Sequence, residues 1–337
     1  MALHINNKQK GLSLVELMVA LVISLFLSAG LFSMFSMSSS NVTTTSQFNQ
    51  LQENGRIALA IMERDISQVS FFADLTGTDF VRDTNTTVAP SLGGSDCEGS
   101  GLNNQTLPNT EPSHFRRLWG YEHDKNGPVI GLGEKSTNLT CLSNADDVAE
   151  KTDVIQIKRL IGPDIAASSR DSNRVYVVTN SSQAIFFSGA SSAPSLTSGR
   201  YWEYQHHVYY IRNDGDIPVL RRRYLSVDNW MKNEEQLVEG IENIRVLFGF
   251  DDDGDNSPDG YVPAKDVSTK NWDNESFQRL VSVKLFILVR SLEKDLSYTN
   301  DVKYIFGDKQ LGPYNDNYRR KVMSTTIVLE NPALIRG

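Results

Sequence analysis

A run of carboxylates interrupted by glycine lies in the C-terminal third of the chain. The sequence DDDGDNSPDGY places five aspartates around one short loop, and four of them are candidate ligands: Asp251, Asp253, Asp255 and Asp259. Hard carboxylate oxygens on a flexible loop suit Ca²⁺, and a divalent cation would offset the repulsion among them. The loop is not an EF-hand, because Asn256 and Val262 stand where that motif needs Gly and Glu. The sequence predicts a calcium site, and a solvated acidic turn between two strands is the alternative.

A single carboxylate interrupts an apolar stretch near the N-terminus. Residues 12–37 would form a helix longer than the roughly 30 Å hydrocarbon core of a bilayer, and Glu16 lies within it. An unpaired carboxylate in lipid is costly, so it indicates a function. Cleavage after Gly11 would create an α-amine on Leu12, one helical turn from Glu16 on the same face. We therefore predict processing between Gly11 and Leu12, and an assembly role for Glu16 in pairing with this amine or a neighbour's.

Two simpler interpretations of the same stretch are open. Lys8 and Lys10 precede the apolar run, as in a secretory signal peptide that would be cut near residues 28–30. The run is also typical of an ordinary membrane anchor in which Glu16 is incidental. A charge near the start of the run and the run's length argue against a signal peptide, and the specificity of the motif favours the processed helix over both alternatives.

These N-terminal residues resemble the class III signal of type IV pilins. The resemblance rests on Gly11, the hydrophobic residue after it, Glu16 at the fifth mature position and the unbroken apolar helix. The superfamily includes major pilins, minor pilins and the pseudopilins of type II secretion. The resemblance implies that a prepilin peptidase cuts after Gly11 and methylates the new amine of Leu12. It also implies that Glu16 neutralises a neighbour's N-terminus as the subunit leaves the membrane for the filament.

The element that positions Glu16 continues beyond the apolar stretch. In residues 38–72, apolar or small side chains recur at three- and four-residue steps: Phe48, Leu51, Gly55, Leu59, Met62, Ile66 and Val69. This spacing predicts one long helix with an amphipathic second half, whose stripe packs on a sheet and is core.

The rest of the chain is predicted to be rich in strands. Alternating or apolar segments occupy residues 153–160, 175–179, 201–212, 219–225, 236–250, 281–291 and 321–329, and residues 213–216 carry a strong hairpin signal. Crossover helices are lacking, which favours a mainly antiparallel sheet. We predict an α+β, pilin-like fold. It has a leader (1–11), a transmembrane helix (12–37), an amphipathic helix (38–72) and a globular head (73–337) with a loop-rich insertion (76–147).

The chain has two cysteines, Cys97 and Cys141. If the head lies outside the cytoplasm, a disulfide between them is the expected state. Two unrelated thiols and a metal pair are the alternatives, and no histidine stands at ligand spacing from either cysteine.

Three further stretches are similar to the minor pilin family PilW. They are LQENGRIA at residues 51–58, ERDI at residues 63–66 and two phenylalanines at residues 71–72. PilW-like proteins often carry an Asp/Gly loop like that of residues 251–260. The secretion pseudopilin GspJ is usually shorter, and the pseudopilin GspK typically lacks the carboxylate that Glu16 supplies here.

The resemblance to PilW implies a structural minor pilin that helps to initiate and assemble a type IV pilus, at or near the tip. Its expected partners are prepilin peptidase, the other minor pilins, the major pilin, a PilY-type tip adhesin and the inner-membrane assembly platform. The chain would cross the inner membrane once with a periplasmic head, and would be extracellular after assembly. A GspJ-like or GspK-like pseudopilin and a ligand-binding component of a DNA-uptake pilus are the alternatives.

Other chemistry is poorly supported by the sequence. The net charge of −8 disfavours a nucleic-acid partner for the head. His206 and His207 are adjacent on a predicted strand, so their side chains point to opposite faces and cannot share a metal. The aromatic residues around them are expected to pack across strands. No nucleophile elbow, phosphate loop or dinucleotide fingerprint occurs, and we do not expect an enzyme.

Overall fold

The computed structural model describes residues 11, 13–131, 133, 138–142 and 148–333. The predicted leader, apart from Gly11, and the predicted mature N-terminus Leu12 lie outside the described residues. The chain forms two compact units, residues 1–49 and residues 50–337. Helix α1, Leu14–Ile66, begins in the first unit and ends in the second.

The first unit contains the apolar half of α1. Its stretch Leu14–Ser38 has 25 residues, is exposed throughout, and is long and apolar enough to cross a membrane. At about 1.5 Å per residue it exceeds the roughly 30 Å hydrocarbon core.

The second unit contains the amphipathic part of α1, and its buried stripe agrees with the predicted one from Leu51 onward. The buried side chains are those of Leu51, Ala58, Leu59, Met62 and Ile66. A Cβ atom at Gly55 would lie 2.3 Å from Sδ of Met323 and 3.0 Å from Cγ2 of Val289. A glycine at this position therefore lets the helix approach the sheet closely.

The helix ends at Ile66, short of the predicted end at residue 72, so the boundary of 38–72 is wrong. Residues 67–70 form a turn in which the N–H of Val69 donates to the carbonyl of Ile66 at 3.0 Å. Ser70 then adopts a positive φ of 64°, which takes the backbone out of the helical conformation. This lets Phe72 turn into the core, where it is fully buried.

The first sheet has eight strands in the order β1-β5-β4-β6-β3-β2, with β7 paired to β6 and β8 paired to β7. Strand β6 pairs with β4 along its first third and with β7 along the remainder, so one long strand joins two parts of a curled sheet. The strands are β1 Thr86–Val88, β2 Leu118–His123, β3 Thr152–Ile165, β4 Val175–Thr179, β5 Ala184–Ser188, β6 Arg200–Asp214, β7 Ile217–Ser226 and β8 Trp230–Glu239.

The second sheet has four strands in the order β10-β9-β11-β14, and a separate hairpin pairs β12 with β13. The strands are β9 Ile241–Asp251, β10 Gly260–Pro263, β11 Arg279–Arg290, β12 Tyr304–Phe306, β13 Lys309–Leu311 and β14 Arg320–Val328. Two short helices, α2 Thr269–Trp272 and α3 Glu330–Ala333, complete the head. Among the named strands only β1 and β5 pair in parallel, so the predicted α+β fold with a mainly antiparallel sheet is confirmed.

The single strand predicted at residues 236–250 is wrong, because the segment divides between the two sheets. Gly240, with a φ of 79°, separates β8 from β9. Its N–H donates to the carbonyl of Pro218 and its carbonyl accepts from the N–H of Arg290, each at 2.7 Å. A Cβ at Gly240 would lie 2.7 Å from the carbonyl oxygen of Arg290, so the crossing point needs glycine.

Candidate functional site

Glu16 lies in the first turn of α1 and caps that helix. The N–H of Ser13 donates to Oε2 of Glu16 at 2.9 Å, and the N–H of Val15 donates to Oγ of Ser13 at 3.3 Å. Ser13 and Glu16 thus form a capping box in which the serine hydroxyl accepts from the N–H of Val15. The Ser-x-x-Glu spacing in the sequence is typical of this motif. Capping directs the Glu16 carboxylate toward the N-terminus of the helix. The α-amine of a cleaved chain would lie at the same end.

Three of the four predicted calcium ligands come together in the loop between β9 and β10. Asp251, Asp253 and Asp259 each offer a carboxylate oxygen, and these oxygens lie within 4.8 Å of one another. Asp255 is not part of this group, so its inclusion is not supported; its Oδ1 accepts from the N–H of Ser257 at 2.6 Å. A set of three carboxylates, two of them exposed, fits a hard oxygen-loving cation.

The same loop is also held together by its own backbone. Oδ1 of Asp251 accepts from the N–H of Gly254 at 2.6 Å, and Oδ2 accepts from the N–H of Asn256 at 3.0 Å. Burial raises the pKa of Asp251, but these N–H groups, with that of Asp253 and with Arg279, outweigh it and hold the pKa below the usual value. Oδ2 of Asp259 accepts from the N–H of Asp252 at 2.7 Å. These hydrogen bonds therefore hold the loop in place, whether it binds a cation or is only an acidic turn.

Two family models match the chain. The prokaryotic N-terminal methylation motif matches residues 6–32, which include Gly11 and the capped Glu16. The model described as type IV pilus-assembly protein W, PilW, matches residues 208–331, from within β6 to α3. These two matches support a type IV pilus minor pilin of the PilW family. No curated protein and no solved structure matches it.

The two matches have several direct consequences. The chain is a type IV pilus-associated pilin anchored in the membrane by its apolar N-terminal helix. The family points to a structural and non-enzymatic role, and to interactions with other pilus components and the prepilin-processing machinery. The match to PilW includes the acidic loop at residues 251–259, whereas residues 76–147 lie outside both matches.

The part of the PilW-family head that precedes the match carries a disulfide between Cys97 and Cys141. Hydrogen bonds join the same two segments: the N–H of Glu98 donates to Oγ1 of Thr140 at 2.8 Å, and the N–H of Thr140 donates to the carbonyl of Glu98 at 3.0 Å. The bridge closes a loop of 44 residues in sequence separation. In the chain-entropy account, a loop of this length stabilises the fold by about 4 kcal/mol.

A buried carboxylate joins α1 to the first sheet, and the sequence analysis missed it. Asp65 is only 3% exposed. Its Oδ1 accepts from Nε of Arg159 at 2.6 Å. Its Oδ2 accepts from the hydroxyl of Tyr209 at 2.7 Å and lies 2.6 Å from Nδ1 of His207. Burial raises the pKa of Asp65, but His207, Arg159 and Tyr209 outweigh it and hold the pKa well below the usual range.

This arrangement, here called the Asp65 network, satisfies both carboxylate oxygens with side chains from β3 and β6. The signal in the sequence was an acidic residue directly beside Ile66 of the buried stripe. Because both oxygens are saturated by residues of the same head, the network holds the end of α1 against the sheet.

The two adjacent histidines make unrelated contacts, as predicted. His207 contacts Asp65, whereas Nε2 of His206 lies 2.9 Å from Nε2 of Gln156. Burial, together with the nearby Lys158 and His207, lowers the pKa of His206 well below its usual value, so this ring is neutral in the core. Neighbouring aromatic residues pack across strands, for example Tyr204 against Phe186 with ring centroids 5.1 Å apart.

Proposed function

We propose that this PilW-family chain is a minor pilin that helps to initiate and assemble a type IV pilus, at or near its tip. The proposal rests on the capped Glu16. This residue lies in the first turn of an exposed apolar helix, shortly after Gly11 and within the methylation motif. In this proposal, prepilin peptidase cuts between Gly11 and Leu12, and Glu16 pairs with the N-terminal amine of a neighbouring subunit.

Assembly would move the subunit from the inner membrane, with its head in the periplasm, into the extracellular filament. Its partners there would be the other minor pilins, the major pilin, a PilY-type tip adhesin and the inner-membrane platform. The match to PilW favours this role over that of a GspJ-like or GspK-like pseudopilin or a DNA-uptake component. Co-purification with pilus components rather than secretion components would separate these roles.

Replacement of Gly11 by Glu is expected to block processing. A Cβ at Gly11 meets nothing within 4 Å among the residues that the structure describes, so an effect of a side chain there would come from recognition at the cut. We expect Gly11→Glu to accumulate as the longer precursor on a gel of the membrane fraction. The matched control is Gly30→Ala, which also meets nothing within 4 Å and should mature normally. Normal maturation of Gly11→Glu, or a cut near residues 28–30, would identify a secretory signal peptide instead.

We further propose that the acidic loop binds Ca²⁺ through Asp251, Asp253 and Asp259. Support comes from the convergence of their oxygens within 4.8 Å and from the like-charge repulsion that a cation would offset. A ligand that binds only the folded state stabilises it by RT ln(1 + [L]/Kd), about 2.7 kcal/mol at a hundredfold excess.

Millimolar-range Ca²⁺ is therefore expected to raise the melting temperature of the detergent-solubilised chain, and chelator should reverse the rise. All four tryptophans, Trp119, Trp202, Trp230 and Trp272, lie in the head, so tryptophan fluorescence reports its unfolding. Asp253→Ala should abolish the response, whereas Asp255→Ala, outside the converging trio, should keep it. Mg²⁺ should do less because it holds its waters tightly. A melting curve indifferent to Ca²⁺ and to chelator would leave the loop an acidic turn.

A further inference from the structure

A polar cavity of about 500 Å³ lies in the head between the last turns of α1 and the first sheet. Its lining includes four arginines, Arg64, Arg159, Arg174 and Arg222, but only two carboxylates, Asp65 and Glu235. Arg174 also forms an ion pair at 3.7 Å with Glu203, which lies outside the cavity lining, so the arginines exceed the nearby carboxylates by one, in a chain whose net charge is −8. A local excess of positive charge on an acidic protein directs anions to this cavity.

The two carboxylates of the cavity are already occupied. Asp65 accepts from Arg159, Tyr209 and the His207 ring through both of its oxygens. Oε1 of Glu235 accepts from Nε of Arg222 at 2.6 Å and also contacts Nη2 of the same guanidinium. Neither carboxylate is positioned to serve the other two arginines.

Guanidinium donors remain unused around the same cavity. Arg64 is exposed on α1 and makes no ion pair or side-chain hydrogen bond within the described part of the chain. Arg174 has Glu203 as its nearest carboxylate at 3.7 Å, which is beyond hydrogen-bond distance. The guanidinium of Arg159 uses Nε and Nη1, and its Nη2 has no partner among the residues that the structure describes. Because arginine only donates, these groups are available to acceptors from another molecule.

We propose that this arginine cavity binds an acidic side chain, an aspartate or a glutamate, presented by another subunit of the pilus. A planar guanidinium binds a carboxylate through two parallel hydrogen bonds, and the cavity is larger than a single free ion requires. The choice of a pilus subunit as the source rests on the proposed function, whereas the carboxylate chemistry rests on the cavity alone.

Binding is measured with a fluorescein-labelled tetraglutamate peptide and the detergent-solubilised full chain, by fluorescence anisotropy. We expect saturable binding that weakens with salt, and an affinity at least about tenfold lower for Arg64→Ala/Arg174→Ala, because hydrogen bonds to charged groups are lost. Both residues are exposed or half-exposed, so tryptophan fluorescence should show an unchanged fold. The matched control is Arg56→Ala, an exposed arginine of α1 outside the cavity, which should bind as the wild type does.

Three competitors identify the source of the ligand. Unlabelled tetraglutamate should displace the probe at lower concentration than glutarate or inorganic phosphate does, because a peptide presents its carboxylates from a chain. Any of three results would overturn the proposal. Phosphate would compete as well as the peptide, Arg64→Ala/Arg174→Ala would bind as the wild type does, or Arg56→Ala would lose as much affinity as the double variant. Peptide binding does not require cleavage at Gly11, so its outcome is independent of the processing test.

Discussion

Replacement of Asp65 by Ala is expected to lower the free energy of unfolding of the head by about 3–5 kcal/mol. The substitution leaves the buried Arg159 guanidinium without the carboxylate that it contacts at 2.6 Å, and it removes the acceptor for Tyr209 and His207. Urea unfolding followed by tryptophan fluorescence in detergent measures the change. Glu63→Ala, an exposed acidic residue of the same helix, should stay within about 0.5 kcal/mol of the wild type.

A paired substitution separates the lost ion pair from simple damage to the core. Asp65→Leu combined with Arg159→Met removes both charges, so the double variant should be more stable than Asp65→Leu alone. If the double variant is no more stable than the single one, the uncompensated charge of Arg159 is not the cause of the loss.

The Asp65 network should also make stability depend on acid pH. The pKa of Asp65 is lower in the folded state than the roughly 3.9 of an unfolded chain. The network therefore contributes its stabilisation above about pH 4, and that contribution is lost as the pH falls toward the folded pKa. The difference in stability between the wild type and Asp65→Asn should shrink below about pH 4.

Replacement of Glu16 by Ala is expected to leave cleavage and membrane insertion intact but to lower incorporation into sheared filaments by about tenfold or more. The proposed pair between this carboxylate and a neighbour's amine is a charge-assisted hydrogen bond, and its loss costs roughly 1.5–3 kcal/mol. Quantitative immunoblots of filament and membrane fractions measure the change. Glu16→Asp should be intermediate, because the charge is kept but moved.

Glu16→Gln separates the two roles of the carboxylate, which are capping of α1 and pairing with an amine. Glutamine can replace glutamate in the capping box with Ser13, but it carries no charge. We expect Glu16→Gln to fail in incorporation about as Glu16→Ala does. Near-normal incorporation of Glu16→Gln would show that capping of α1, rather than pairing with an amine, is what assembly requires.

The regular elements of the head were predictable where one periodicity ran long enough. The stripe from Leu51 to Ile66 buries as its three- and four-residue spacing indicated, and the turn at residues 213–216 joins β6 to β7. Of the short strands β4 was predicted, but β1, β2, β5, β10, β12 and β13 were missed because segments of three to six residues rarely show a clear period. The sequence pattern did not show that Gly240 divides two strands. The residue whose contact requires glycine there, Arg290, is distant in sequence.

The candidate sites also differ in whether a local sequence pattern predicts them. Gly11 and Glu16 are local in sequence, so their spacing alone indicated a processed helix. The loop from Asp251 to Asp259 was recognisable, but which aspartates converge depends on backbone hydrogen bonds that composition does not reveal. The Asp65 network and the arginine cavity join α1 to strands β3, β6 and β7, and no local pattern predicts such pairings.

Mass spectrometry of the chain recovered from sheared, purified filaments would show whether this protein is a processed subunit of the pilus. We expect an N-terminal peptide that begins at Leu12, carries a methylated α-amine and retains Glu16. A chain confined to the membrane fraction, or a filament form that begins at any other residue, would contradict the assignment of this protein as a processed subunit of the pilus.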